Sequence, residues 1–323
     1  MRGRLTPTVA RPVRGTTMST ISLHNIRRFL RKTPQQRRVT ARFFTALFLG
    51  KLPYAPHRVH FDVPPHDAVT FWWSHFPGII GPGGNSIFTY VGEDIGDLRF
   101  LWRYLQTGMT FFDVGAHEGI YAVVAAKRLG PSGHVVAFEP SPRERSRLQL
   151  HLRRNRLESV DVVPCAVAAE EGNGVLVTVI SGNTGRNSLL PPLTSDPLKQ
   201  VKVEITTLDR YLATSHTETV DVVKIDAEGA ELQIFQGADK LLKHVRPLIL
   251  CEVLDVSSRP WGYPASDIIS TLKACNYEWF EILASGSLIP HETRTEYSEV
   301  RNYLAVPREK IGQVAQFVSS EIQ

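Results

Sequence analysis

Thr110-Phe-Phe-Asp113-Val-Gly115-Ala-His-Glu-Gly119 is the stretch that decides the fold of this 323-residue chain. A short apolar run ends in Asp113, a turn carrying two glycines follows, and Ile120 to Leu129 has the apolar spacing of a helix. Further on, Val135-Val-Ala-Phe-Glu139 reads as a second buried strand that ends in a carboxylate. Strand, glycine turn, helix and acid-tipped strand, in that order, are the layout of a nucleotide-type site. Gly115 and Gly119 let backbone approach a ligand where a Cβ would collide. Glu139 stands where it can accept hydrogen bonds from ribose hydroxyls. The spacing is D-x-G-x-x-x-G and not G-x-G-x-x-G, which points away from dinucleotides and towards S-adenosylmethionine.

The pattern continues outward from this unit. Strands are expected near 110–114, 134–139, 160–165, 220–226 and 247–254, and helices near 119–129, 142–155, 229–243 and 265–275. Near-continuous apolar strands alternating with helices imply a parallel sheet covered on both faces. Tyr277 to Leu283 and Val300 to Val306 then read as two strands with no helix between them, which requires an antiparallel pair. Between strands three and four lies an insertion at about 170–206. It holds two strand-like runs, Val175 to Ile180 and Val201 to Thr206, around a loop rich in Gly, Asn, Ser and Pro.

Charge divides the chain. Eleven of the 37 Lys and Arg fall in residues 1–42, which contain no Asp or Glu, so the rest holds 26 bases against 32 acids. The body is mildly acidic, and a nucleic-acid footprint on it is not expected. Residues 1–50 form a basic arm, partly disordered or helical, and Met18 is a second candidate start. Three readings stay open for the arm: a helix packed on the body, peripheral contact with an anionic membrane, or a targeting peptide. Residues 51–105 form a cap segment in which a short strand pair precedes a helix from Gly96 to Leu105. Three widely spaced cysteines suit a reducing, cytoplasmic setting, with Cys165 and Cys251 expected as buried thiols. No apolar run reaches the length of a membrane span.

The second constellation is Lys224-Ile-Asp226-Ala-Glu228-Gly-Ala-Glu231, at the expected end of strand four. Ligands of open α/β sheets sit at the carboxyl ends of strands, near the reversal of strand order. Alternation places Lys224 and Asp226 on one face, so a structural pair and a catalytic group are both open readings. Glu228 and Glu231 also suit a helix N-terminus, Glu231 more so. Asp113 either bonds backbone N–H groups of its turn or holds the amino group of the cofactor. No set of neighbouring residues has metal-ligand spacing, and no metal is expected.

Together these pieces resemble the FkbM family of S-adenosylmethionine-dependent methyltransferases. The matching blocks run from Phe112 to Gly119, Val136 to Pro140, Pro164 to Ala168, Thr207 to Asp209, Lys224 to Glu231 and Ile249 to Glu252. The resemblance implies an α/β, Rossmann-like class I methyltransferase domain over 106–323. Its sheet would be mostly parallel and seven-stranded, with an antiparallel terminal hairpin. It further implies O-methylation of a hydroxyl on a sugar, glycolipid or polyketide-type small molecule. Asp113, Gly115, Ala116, His117 and Gly119 would line the methionine part of the cofactor, Glu139 and Pro140 the ribose, and Cys165 and Ala166 the adenine. Asp226, Glu228 and Lys224 are the candidate catalytic residues, and Asn183, Asn187 and Ser188 the candidate acceptor contacts. His117-Glu118 stands where many relatives carry Asn and a small or apolar residue. The competing reading is a non-catalytic binding protein with a degenerate pocket and a docking arm.

Overall fold

The computed structural model describes residues 57–63, 67–73, 95–157, 159–180 and 184–319, all within one compact unit, Leu52–Gln323. The basic arm, Ser86 to Val91 and Asn183 lie outside the described residues. An antiparallel pair, β1 (His57–Val63) and β2 (Asp67–Trp73), comes first, followed by helix α1 (Ile95–Tyr104).

The central unit then runs β3 (Thr110–Val114), α2 (Ile120–Leu129), β4 (His134–Phe138), α3 (Pro142–Asn155) and β5 (Asp161–Val163). Next come β6 (Cys165–Val167), β7 (Gly172–Val179), β8 (Leu198–Thr206) and helix α4 (Leu208–Ser215). The chain returns through β9 (Val222–Ile225), α5 (Glu231–Gln236), β10 (Leu248–Glu252), α6 (Asp255–Ser258) and α7 (Ser266–Ala274). It closes with β11 (Tyr277–Ile282), β12 (Leu288–Pro290), β13 (Asn302–Pro307) and the short α8 (Ile311–Val314).

The main sheet has the order β12-β11-β13-β10-β9-β3-β4-β5. From β10 to β5 the neighbours are parallel, while β13 pairs antiparallel with both β10 and β11. The chain builds outward from β3 to β5, then crosses back to β9 on the other side of β3. That reversal leaves a crevice above the carboxyl ends of β3 and β9. Side chains alternate between two cores. Phe111, Val135, Val222 and Leu250 face α1, α2 and α3, and Phe112, Val136, Val223 and Ile249 face α4, α5 and α7. A strand buried on both faces must be apolar at nearly every position, and this is why the strands were readable as continuous runs.

Three expectations change. The sheet has eight strands, not seven. A tight turn closed by Leu283 N–H to Ser287 O (2.8 Å), with Gly286 at φ 80°, folds β12 back onto β11. The strand expected at 160–165 is divided at Pro164, which has no N–H for a ladder: β5 stays in the main sheet, whereas β6 joins β8 and β7 in a separate three-stranded sheet. Cys165 is consequently part-exposed, not buried, while Cys251 is buried as expected. The helix expected over 229–243 stops at Gly237, where a Cβ would lie 2.4 Å from the Ala168 carbonyl oxygen. A π-helical turn, Leu241–Val245, follows it.

The three-stranded sheet is tied to the main body near the site. The Arg143 guanidinium, at the start of α3, donates to the carbonyls of Val179 (2.7 Å) and Ile180 (3.1 Å).

Candidate active site

The β3–α2 turn is shaped by what its neighbours leave free. Gly115 (φ 74°) and Gly119 (φ 88°) take up left-handed backbone that L side chains resist. A Cβ on Gly115 would fall 1.9 Å from the Asp226 carbonyl oxygen, and one on Gly119 2.1 Å from Leu148 Cδ1 of α3. The first glycine therefore lets two turns cross, and the second lets two helices pack. Gly115 and Ala116 N–H both donate to the Phe138 carbonyl (3.1 and 3.0 Å), which fixes the turn against β4.

Asp113 is fully buried. Its Oδ2 accepts the Ala122 N–H at 3.0 Å, so the carboxylate at the end of β3 caps the first turn of α2. Register sets Asp113 opposite Lys224. Lys224 Nζ lies 3.7 Å from Asp113 Oδ1, 3.3 Å from Asp226 Oδ2 and 3.3 Å from the Gly115 carbonyl. It also sits 5.0 Å from the Tyr121 ring centre. One buried ammonium thus holds both turns and both carboxylates, the partnering that a charge out of water requires. Burial pushes the Asp113 carboxyl upward in pKa, against the pull of Lys224.

Glu139, just past β4, is buried. Its two oxygens accept N–H groups from His117 and Ser141, each at 2.7 Å. Burial pushes it up to about 8 despite those donors. His117 (φ 50°) turns its ring Nε2 to 3.1 Å from Thr184 Oγ1, so the turn touches the insertion.

The β9–α5 turn completes the site. Glu228 takes a left-handed backbone (φ 52°) that is costly for a residue with a side chain. The surrounding contacts hold it there. Ser188 Oγ donates to its carbonyl at 2.9 Å and Ser257 Oγ to its Oε2 at 3.4 Å, while Glu231 Oε1 accepts the N–H groups of Ala227 (2.8 Å) and Gly229 (3.3 Å). Burial, with Asp226 and Glu231 adding repulsion, raises Glu228 to about 8. Burial likewise raises Glu231 to about 7. Glu252, at the end of β10, is also raised by burial, and its Oε2 has no partner. Away from the cleft, burial raises Asp97 of α1 to about 7, although it accepts from Asn302 and Tyr121.

These turns line an open cleft above the carboxyl ends of β3 and β9. Gly115, His117, Glu139, Pro140, Cys165, Ala166, Asp226, Glu228, Asn187 and Ser188 all face it. Asp113, Ala116, Gly119 and Lys224 do not; they stand behind it and shape the turns. Sequence reading missed Phe138, Val167, Leu176 and Leu189, which supply the apolar wall. The last two come from the insertion, and no local pattern ties them to the glycine turn.

An adenosyl group suits this donor set. The wall is apolar enough for a flat ring, Glu139 offers acceptors, and Asn187 Nδ2 is a buried donor with no partner.

The raised carboxyls have a measurable consequence. Between the ordinary carboxylate range, about 4, and about 8, the folded chain holds protons that the unfolded chain has released. Stability must therefore fall as pH rises through that window. The melting temperature is expected to drop by roughly 5–10 °C between about pH 5.5 and 8.5, measured in one buffer series at constant ionic strength. A flat or rising profile would show that these groups ionise freely in the fold.

The strand order, the glycine turn and the acid after β4 define a Rossmann-like domain of the class I methyltransferase type. The methyltransferase FkbM domain model matches residues 113–279, slightly over half the sequence, and the chain belongs to that family. It is 23% identical over 144 residues to "Methyltransferase 1" of Beauveria bassiana (strain ARSEF 2860), covering 39% of this chain and 57% of that protein. It is 26% identical over 156 residues to methyltransferase sdnD of Sordaria araneosa, covering 40% and 60%. The chain thus spans less than two thirds of the length of these relatives. The crystal structure of methyltransferase FkbM from Methylobacillus flagellatus KT superposes with a TM-score of 0.40 at 14% identity, over 62% of this chain and 44% of that one.

Proposed function

We propose that the chain is an S-adenosylmethionine-dependent methyltransferase that acts on a hydroxyl oxygen of a small molecule. The observation that carries the reading is convergence: Glu139 and the Gly115 turn reach the cleft from one side, and the carboxylates of Asp226 and Glu228 reach it from the other. When bound, S-adenosylmethionine supplies a methyl group on a sulfonium cation, which the acceptor oxygen takes with release of S-adenosylhomocysteine. The turn at Gly115 and the acceptors of Glu139 hold the nucleoside end. The wall of Phe138, Val167 and Leu176 excludes water from it. Asp226, steadied by Lys224, and Glu228 are the groups placed to receive the acceptor's hydroxyl proton. Most of the acceleration comes from fixed positioning of the two reactants in a dry cleft.

S-Adenosylhomocysteine at saturation is expected to raise the melting temperature by about 5 °C or more, and NAD to leave it unchanged. Incubation with methyl-labelled S-adenosylmethionine and a host extract should then yield a labelled methyl ether identifiable by mass spectrometry. A chain that responds to neither nucleotide is instead a binding protein with a degenerate pocket. Label recovered on nitrogen, carbon or sulfur would remove the oxygen acceptor.

A further inference from the structure

A second, smaller and open depression lies beside the first and shares Ser188 and Glu228 with it. Its two walls come from separate parts of the chain. One is the apolar stretch after Ser188, from Leu190 to Leu193; the other is α6 and the turn after it, with Val256, Pro260 and Trp261. Each wall is braced. Arg186 Nη1 donates to the Leu193 carbonyl at 3.1 Å and bends the first wall back on itself. On the second, the Trp261 ring lies over the backbone of Gly229, where a Cβ would be 2.5 Å from its Cδ1. The polar groups stand at the inner end, where the two cavities meet. They are the Glu228 carboxyl, the Ser257 hydroxyl that donates to it and the Ser188 hydroxyl, while the Arg186 guanidinium, which also lines the cavity, is turned onto the Leu193 carbonyl. At the outer end the surface is apolar and wet, with Leu193 67% and Val256 45% exposed.

From this gradient we infer that the second cavity is the acceptor subsite, and that it selects an alcohol carried on an apolar, ring-bearing skeleton rather than a free sugar. The inference rests on the proposed methyl transfer and narrows its acceptor. A sugar presents hydroxyls in every direction and would leave most of them facing Leu190, Leu193, Pro260 and Trp261 without partners, a penalty for each unpaired group. An apolar skeleton removes the same side chains from water and leaves its one hydroxyl at the inner end beside Glu228. Selection then comes from the walls, and the proton is handled where the cavities join. The oxygen–methyl bond forms as the methyl–sulfur bond breaks, its electron pair passing to sulfur, and the hydroxyl proton passes to the Asp226 carboxylate or, where it is ionised, to Glu228.

The test uses the full chain with saturating S-adenosylhomocysteine and two probes, 2-naphthylmethanol and methyl β-glucopyranoside, followed by ligand-observed NMR titration. The naphthyl alcohol is expected to bind at least tenfold more tightly than the glucoside. Leu193→Asp, at an exposed position, and Trp261→Ala should each weaken it at least tenfold while the thermal shift with S-adenosylhomocysteine persists. Equal or tighter glucoside binding overturns the inference. So does absence of alcohol binding, or naphthyl binding indifferent to both substitutions, while the nucleotide shift persists. Loss of the nucleotide shift in the unaltered chain overturns the methyl-transfer reading, and the subsite falls with it.

Discussion

Gly115→Val is expected to abolish the thermal shift with S-adenosylhomocysteine and to lower the melting temperature of the free protein by roughly 5–10 °C. The added Cβ would lie 1.9 Å from the Asp226 carbonyl oxygen and 3.0 Å from its carbon, both backbone atoms that no rotamer can move aside. Backbone strain compounds the clash. Gly115 sits at φ 74°, where an L side chain costs roughly 1–2 kcal/mol. The turn cannot shift to relieve either problem without losing the Gly115 N–H bond to Phe138 and the Lys224 bond to the Gly115 carbonyl. Parting the two turns would also pull Lys224 from Asp113. Sequence reading expected this collision to be with the ligand; the structure places it within the protein, so a fall in the free protein's stability is the distinguishing result. Gly172→Ala is the control, because a Cβ there meets nothing within 4 Å. A Gly115→Val protein with normal stability and a full nucleotide shift would show that the two turns do not cross as described.

What the sequence disclosed follows from how local each feature is. The five parallel strands were legible because burial on both faces forces runs such as Val222-Val223 and Leu248-Ile249-Leu250. The glycine turn was legible because its residues are contiguous. The pairing of Lys224 with Asp226 followed from strand alternation, and the contact is 3.3 Å. The partnering of Lys224 with Asp113 did not. It depends on β9 returning to lie beside β3, a long-range placement that no local period encodes. For the same reason Asp113 could be read as a cofactor ligand, when its carboxylate is turned onto the N–H of Ala122. β12 was missed because three residues carry too little pattern, although Gly286 marked its turn. Of the apolar wall, Leu176 belongs to a different sheet and Leu189 packs against it, so their share in the cleft appears only in three dimensions.

Asp226→Asn is expected to cut turnover by about two to four orders of magnitude, the range that removal of a general base produces, with the nucleotide shift nearly unchanged. The fold should tolerate the change. Lys224 keeps Asp113 as a partner, and the Asp226 carbonyl that meets Gly115 is main chain. Glu228→Gln separates the two carboxylates by their response to pH. With Glu228 raised to about 8, most of it is protonated at neutrality and unable to accept a proton. If it receives the hydroxyl proton, kcat/KM climbs with pH through about 8, and that limb vanishes in Glu228→Gln. If Asp226 alone receives the proton, Glu228→Gln retains the unaltered pH profile and Asp226→Asn carries the whole loss. An Asp226→Asn protein that turns over normally would leave that residue as the structural partner of Lys224, its buried neighbour across the turn.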